Sequence, residues 1–495
     1  MNGCLVAGTG SDVGKSFVAT AICRMLADRG LSVAPFKAQN MSNNAGVTRS
    51  GHEMARAQVV QAEAARVEPH PDMNPVLIKP MSEKSAAVIL NGRPIGTHDA
   101  MAYFRDTSAL RREAMAALDR LRQRYPVIVA EGAGSCAEVN LRARDFTNLD
   151  VAHHARLPTV LVADIDRGGV FAQVVGTLAV LDDRDRSLIK GVIVNRFRGD
   201  QALFADGARW IEETTGLPVL GVLPWDKSLN VESEDALPPG ARVDPPVPLS
   251  THPERLRIAI PLAPHMANFT DFGPLELHSE IEVHWLSRPR ALVGYDLVVL
   301  AGSRNTRGDL DHFWRSGWAQ ALRDWEDRRI IGVCGGYQML GREVADPLGV
   351  EGAPGATRGL GLLDVSTIFE ADKRVGPSHG RWGQVPLRGY EIHHGRTVRH
   401  SGQAPVTILS RPEGAVHEDD GAVSSDGRCW GSYLHGLFDQ PQALAAMLAE
   451  VRPDLDLRDM ASRPPFDVAK EAIYDRVAAH FAGHVDVGRM IDALE

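Results

Sequence analysis

The sequence predicts an α/β protein made of two doubly wound, mostly parallel-sheet domains joined by a linker. Three observations lead there. Apolar runs of strand length, Cys4–Ala7, Val127–Ala130, Thr159–Ala163, Gly191–Asn195 and Pro218–Val222, recur between helix-patterned stretches in the first half. A second series repeats the rhythm at Arg257–Leu262, Asp296–Ala301, Ile330–Val333 and Cys429–Leu434. Between them, 232–254 loses the rhythm and holds Pro238-Pro239-Gly240 and Pro245-Pro246-Val247-Pro248. Strands that alternate with helices build a parallel sheet covered on both faces. A proline-rich break without apolar periodicity reads as a linker. The expected boundaries are 1–231, a linker at 232–254, 255–445, and a helical extension at 446–495 with Glu471–Phe481 as its clearest stretch.

Composition narrows the function classes. At 495 residues the chain exceeds one ordinary core. Its 44% hydrophobic and 24% charged residues suit a soluble globular protein, and no apolar run is long enough to span a bilayer. The apolar start Met1–Ala7 runs at once into a glycine-rich turn and lacks the basic opening of a signal peptide. Cys4, Cys23, Cys136, Cys334 and Cys429 form no C-x-x-C pair and are odd in number. That pattern fits a cytoplasmic protein better than a disulfide framework or a structural zinc site. A net charge of −9 argues against a nucleic-acid partner. It leaves room for small anions, because a local nest of backbone N–H groups binds phosphate whatever the global charge.

The first run leads into Gly8-Thr9-Gly10-Ser11-Asp12-Val13-Gly14-Lys15-Ser16, and a helical pattern follows from Phe17 to Arg29. A phosphate-binding loop needs this setting: glycines fold the backbone around the anion, and the helix N-terminus adds positive potential. The expected nucleotide contacts are Gly10, Ser11, Asp12, Val13, Gly14, Lys15 and Ser16, with Lys15 on the outer phosphates and the Ser16 hydroxyl on Mg²⁺. Thr9 stands where G-x-x-x-x-G-K-[ST] wants its first glycine, so the loop is one residue longer, starting at Gly8. This longer loop resembles that of dethiobiotin synthetase-type ATPases, which phosphorylate a carboxylate. Lys37, after the apolar Val33–Phe36, could reach phosphates from a neighbouring strand end. Glu131, directly after Val127–Ala130, is placed to hold Mg²⁺ at a strand's C-terminal end.

The second motif is Ile330-Ile331-Gly332-Val333-Cys334-Gly335-Gly336-Tyr337. A strand running into a cysteine among glycines, with a helix after it, follows nucleophile-elbow logic. Cys334 is the expected nucleophile, and its position at a helix N-terminus favours the thiolate. The Gly335 N–H and the backbone at Gly302, in Val299–Thr306, are the expected oxyanion donors. His435, in Tyr433-Leu434-His435-Gly436, is the expected base. The pairs His153-His154 and His393-His394 offer no metal-ligand spacing and read as non-catalytic.

Together these motifs resemble the cobyric acid synthase (CobQ) family over nearly the whole chain. The resemblance extends through Phe36–Asn44, with its Asn40-Met41-Ser42-Asn43-Asn44, and through Arg56-Ala57-Gln58 and Asn74–Pro80. It continues in Ala163–Phe171, Asn195–Asp200, Gly389–His393 and Tyr433–Gly436. It implies ATP and Mg²⁺ at the first domain, where Asn195 joins the nucleotide contacts, and glutamine as nitrogen donor at the second. It implies amidation of four peripheral carboxylates of adenosylcobyrinic acid a,c-diamide, through acyl phosphates. Arg49, Arg56, Arg142, Arg144 and Arg167 lie in family-like segments and suit an anionic corrinoid; Asp145 and Asp150 are candidates beside them. Many class I amidotransferases carry a Glu two residues after the catalytic His; here that position is Leu437, so Glu391, Asp439 or a backbone carbonyl is left to orient His435. Ammonia protonates in water, so the two sites need a shielded path, within one chain or across the contact of a homo-oligomer. The rival readings are cobyrinic acid a,c-diamide synthase, another CobQ-like amidotransferase, and a partitioning-type regulatory ATPase, which would leave the cysteine elbow without a role.

Overall fold

Strands buried on both faces organise the first half of the chain. The computed structural model describes residues 2–80, 85–99, 107–226, 228–229, 231–232, 241–247, 254–327 and 329–495. Two units divide it: Met1–Ser42, Glu53–Glu234 and Lys470–Glu495 form the first, Asn43–His52 and Asp235–Ala469 the second. Among the described residues the main sheet of the first unit has the order Val219–Pro224, Ile189–Phe197, Thr159–Asp164, Gly3–Gly8, Val127–Glu131, Val33–Phe36. All neighbours run parallel. Gly3–Gly8 and Thr159–Asp164 are buried along their whole length, which is why they read as continuous apolar runs. Gly3–Gly8 lies in mid-sheet where the strand order reverses, and its C-terminal end opens onto the crevice that such sheets use for ligands.

In the second unit the main sheet has the order Arg242–Val243, Ile281–Leu286, Leu256–Pro261, Leu297–Leu300, Ile330–Val333, Cys429–Ser432, Ala422–Val423. Only the last pair is antiparallel. The linker expected at 232–254 falls mostly on 233–240 and 248–253, outside the described residues, and Arg242–Val243 within it is an edge strand.

Two sheets lie beyond the rhythm of the sequence. Val365–Trp382 and Val385–Arg399 form a long antiparallel pair, extended by Val406–Arg411 and Gly414–Asp420. Their inward residues alternate with charged outward ones, so no apolar run marks them. In the first unit, Gln39–Met41 pairs parallel with Val76–Pro80, which continues antiparallel into Ser85–Leu90 and Arg93–Asp99.

The stretch 446–495 is helical, as its composition suggests, but it is divided between the units at Lys470. In the first unit Tyr474, Val477, Phe481, Met490 and Leu494 are buried in one cluster with Val18, Ile22 and Leu26 of the helix Lys15–Asp28. Arg24, buried on that helix, donates to Glu471 at 2.6 Å and to Asp475 at 2.9 Å. Tyr474 and Lys470 both donate to Glu63 at 2.6 Å. The C-terminal residues thus back the helix that starts at Lys15. Among the described residues, no helix is long and apolar enough to cross a membrane.

Phe481 is fully buried in this cluster. Phe481→Ala should cost about 3–5 kcal/mol of first-unit stability. Differential scanning calorimetry should show the nucleotide-responsive transition move down while the other stays. An unmoved transition would mean that the tail contributes no core to this unit.

Candidate active site

The first constellation gathers at the C-terminal ends of Gly3–Gly8 and Val127–Glu131, paired in register with Val6 opposite Glu131. The loop between Gly8 and Lys15 turns through Asp12 at φ 54° and Gly14 at φ 97°. At Gly14 only glycine fits, because a Cβ there would lie 2.0 Å from the Asn195 amide. Asn195 stands behind the loop and donates to the Val13 carbonyl at 2.9 Å. Arg196 braces it from the same strand end, donating to Asp12 at 3.0 Å and to Asp164 at 2.9 Å. The Lys15 ammonium reaches back over the loop to the carbonyls of Gly10 and Gly134, each at 2.8 Å.

Glu131 is the hub. Ser16 Oγ donates to its Oε1 at 2.8 Å, Lys37 Nζ lies 2.9 Å from the same oxygen, and Gln61 donates to Oε2. Burial works against the carboxylate's charge, but Lys37 above all, then Gln61 and Lys15, outweigh it and hold the group below the ordinary carboxylate range. Ser16 and Glu131 thus set two hard oxygens side by side at the helix N-terminus, a donor set suited to a hydrated Mg²⁺ completed by phosphate oxygens. Among the described residues no group of three His, Cys, Asp or Glu converges, so a cation here depends on such outside ligands.

The candidate arginines go to different places. Arg56 pairs with Glu232, Arg142 with Asp185, and Arg167 lies 3.4 Å from Asp12. Arg142 and Arg144 line a polar cavity of about 490 Å³ with Arg111, Thr107, Asp145 and Asp150. Asp150 pairs with Arg111, and Asp145 accepts from Thr147 within its own turn. His153 and His154 bond Asp185 and Asp119.

The second constellation also sits at neighbouring parallel strand ends. Ile330–Val333 pairs with Cys429–Ser432, Val333 opposite Ser432, so Cys334 and His435 both leave the same end of the sheet. Cys334 has φ 51° and ψ −106°, a conformation that a non-glycine residue holds only under constraint. The constraint is visible: a Cβ on Gly336 would lie 2.1 Å from the Leu300 carbonyl, and one on Gly335 2.5 Å from the Ser303 nitrogen. The bare backbone lets the helix Gly335–Leu340 press against the Leu300–Ser303 segment, and the cysteine is left at its tip. The same approach brings Gly302 to the site, where a Cβ would lie 3.3 Å from His435 Cε1. The Cys334 thiol lies 3.8 Å from the Ile392 carbonyl.

His435 is buried and held on three sides. Its Nδ1 lies 2.6 Å from Asp271 Oδ2, while Asp271 Oδ1 accepts from the Gly436 N–H at 3.4 Å. Its backbone exchanges hydrogen bonds with Tyr390, at 2.9 and 3.2 Å, and the Tyr390 ring stacks on the imidazole at 4.9 Å and 11°. Burial opposes a charge on the ring, but the Asp271 carboxylate, and Cys334 after it, push the imidazole up to about 10. Nε2 makes no well-formed hydrogen bond among the described residues, and Cys334 is the group beside it, as resting thiol–imidazole pairs often show.

Asp271 thus stands at the ring nitrogen for which Glu391, Asp439 or a backbone carbonyl was the expected partner. Glu391 is taken by Arg411 and Ser378, with His393 3.6 Å away. His393 stacks on Tyr433 at 3.8 Å, and His394 lies 3.2 Å from the Glu370 carbonyl. Asp271 could not be foreseen from spacing, since it stands far upstream of His435 on the short turn Phe269–Phe272. Its one local signal is a carboxylate between phenylalanines after a buried strand.

The arrangement can run acyl transfer from an amide at the second constellation and bind a nucleoside triphosphate at the first. Known proteins agree. Residues 4–238 match the model of the CobQ/CobB/MinD/ParA nucleotide binding domain, and residues 257–443 that of the CobB/CobQ-like glutamine amidotransferase domain. The chain is 48% identical to a cobyric acid synthase of Chlorobium phaeobacteroides over 499 residues, covering 100% of this chain and 99% of the relative. It is 47% identical to a cobyric acid synthase of Chlorobaculum tepidum over 495 residues, covering 99% and 97%.

Asp271→Asn keeps the shape and removes the charge. It should lower glutaminase kcat by roughly 10²–10⁴-fold. Losing the anion lowers the imidazole pKa, so the alkaline limb of the pH–rate profile should move to lower pH. The pair's stabilisation is full below the ordinary imidazole pKa of about 6.5, and it fades as pH rises through about 10. The stability gap between wild type and variant should therefore narrow across that window. A pH profile that keeps its alkaline limb would remove Asp271 from this role.

Proposed function

We infer the reaction from one premise: the chain belongs to the cobyric acid synthase family. It is a glutamine-hydrolysing, amide-forming ligase of cobalamin biosynthesis. Its reaction is the ATP- and glutamine-dependent amidation of the b, d, e and g carboxylates of adenosylcobyrinic acid a,c-diamide to cobyric acid. The single observation that carries this reading is similarity along the entire length, both halves included.

The chemistry divides between the two constellations. A carboxylate at neutral pH is a poor electrophile, and transfer of a phosphoryl group from ATP turns it into an acyl phosphate with a good leaving group. Lys15 and the N–H groups from Gly10 to Ser16 neutralise charge on the transferring group. Asn195 and Arg196 keep that loop in its binding shape. Mg²⁺, when bound, supplies Lewis-acid neutralisation of the phosphates, and Ser16 and Glu131 are the residues that would hold it. Lys37 and Gln61 hold the Glu131 carboxylate ionised and oriented.

In the second unit His435 holds the proton taken from the Cys334 thiol, and the sulfur attacks the glutamine amide from that ion pair. The tetrahedral oxyanion meets backbone donors at Gly335 and Gly302. His435 then protonates the departing ammonia, and water hydrolyses the thioester to glutamate. Asp271 accepts from Nδ1–H throughout, so the ring presents Nε2 to the sulfur. Ammonia displaces phosphate from the acyl phosphate and leaves the amide.

Mass spectrometry of the products tests both the reaction and its division. Wild type should convert the a,c-diamide through four successive amidations with glutamine. Cys334→Ala should lose glutaminase and glutamine-dependent amidation yet still amidate with high ammonium at alkaline pH. Lys15→Ala should lose amidation with either donor, its kcat falling by orders of magnitude, about 10²-fold or more. A Cys334→Ala protein that binds ATP but cannot use ammonium would break the two-site scheme. A protein that leaves the a,c-diamide unchanged but adds two amides to cobyrinic acid would be the a,c-diamide synthase instead.

A further inference from the structure

The segment Asn43–His52 groups with the second unit although the chain before and after it belongs to the first. It carries the end of the Asn40–Asn44 motif, to which neither the phosphate chemistry nor the thiol chemistry gives a task. Its contacts within the second unit are specific. The Ala45 N–H donates to Asn268 Oδ1 at 3.1 Å, a buried hydrogen bond. The Tyr390 hydroxyl lies 3.5 Å from the Ala45 carbonyl. Beyond Ala45 the segment closes on itself, Thr48 N–H to the His52 carbonyl at 2.8 Å and Gly51 N–H to Thr48 at 2.9 Å.

Both partners of Ala45 lead to the same imidazole. Asn268, in the left-handed conformation at φ 53°, heads the turn Phe269–Phe272, and its carbonyl accepts the Asp271 N–H at 3.0 Å. Asp271 holds His435 Nδ1. Tyr390 stacks on the same ring and brackets its backbone. One residue of the strap, Ala45, therefore touches the two groups that fix His435, one through its N–H and the other through its carbonyl. Upstream, the strap is covalently continuous with Lys37, which sits on Glu131, and with Asn40, which donates to Gln58 at 2.7 Å.

We propose that Asn43–His52 is a positioning strap for the base of glutamine hydrolysis, Ala45 setting Asn268 and Tyr390 so that the state of the first unit governs His435. Asn268 is then a positioning residue that never touches glutamine. The inference rests on His435 being the base. Its physical content is a coupling free energy: ligands that settle the strap from the first unit raise the rate of glutamine hydrolysis, commonly by about 5–150-fold for coupling of this kind. Ammonia would then be released chiefly when an acceptor is ready.

The test is the ratio of glutaminase rates in the full chain with and without ATP plus the a,c-diamide. Asn268→Gly removes the acceptor of the Ala45 N–H and keeps the left-handed backbone, where glycine is at ease. Wild type should show stimulation of at least about fivefold, and Asn268→Gly should bring the ratio close to one. Amidation with ammonium should stay within about twofold of wild type, because the strap acts on the base alone. Should Asn268→Gly misfold, Tyr390→Phe, which keeps the stacked ring and removes the hydroxyl, should lower the same ratio. A wild-type ratio retained in a folded Asn268→Gly protein overturns the proposal, and so does a wild type indifferent to ATP and the a,c-diamide. His435→Ala that hydrolyses glutamine at full rate is a different failure: it removes the base itself, whatever the strap does.

Discussion

The hydrogen bond between Asp271 and His435 is the interaction on which the amidotransferase unit turns. A lone imidazole buried this deeply would lose its charge, because desolvation penalises the cation. A carboxylate 2.6 Å away, buried with it, reverses that preference and leaves the second ring nitrogen for the thiol. The carboxylate is fixed in turn by the Gly436 N–H and by a turn whose Phe272 packs on Trp285 and Phe438. Much of the local architecture, from Phe272 to Tyr390, is therefore the means of keeping one charge pair dry and in register.

The same economy governs the cysteine. Cys334 cannot relax from its positive φ without separating the helix Gly335–Leu340 from Leu300–Ser303, and glycines at 335 and 336 are what allow that approach. The first unit solves an equivalent problem with Gly14 and Asn195, where a missing side chain lets the strand end hold the loop. In both units a ligand-facing backbone is shaped by tight packing behind it, which leaves the N–H groups preorganised for negative charge.

How much of this was legible in the sequence follows from how local each determinant is. Gly8–Ser16 and Gly332–Tyr337 announce themselves because strand, turn and helix are contiguous. Cys334, Lys15 and Ser16 follow from those motifs, His435 and Glu131 from their places at the ends of apolar strands, and the structure brings Cys334 to His435 and Ser16 to Glu131. Asp271 and Asn268 are invisible to the same reasoning, since their partners come from distant segments and no spacing rule links them. The long pair Val365–Trp382 and Val385–Arg399 escaped because one face is solvated and charged residues interrupt the apolar pattern. The detour of Asn43–His52 into the second unit escaped because a short polar segment carries no record of where it packs.

The central claim, a charged imidazole held by Asp271 beside the nucleophile, is open to direct measurement. Nitrogen NMR of the full chain labelled at the histidine ring nitrogens, with His435→Gln to identify the signal, reads the protonation state of His435 itself. Both ring nitrogens should stay protonated from pH 6.5 to above pH 8, well past the ordinary imidazole value of about 6.5. A ring that loses its proton near that ordinary value would contradict the account.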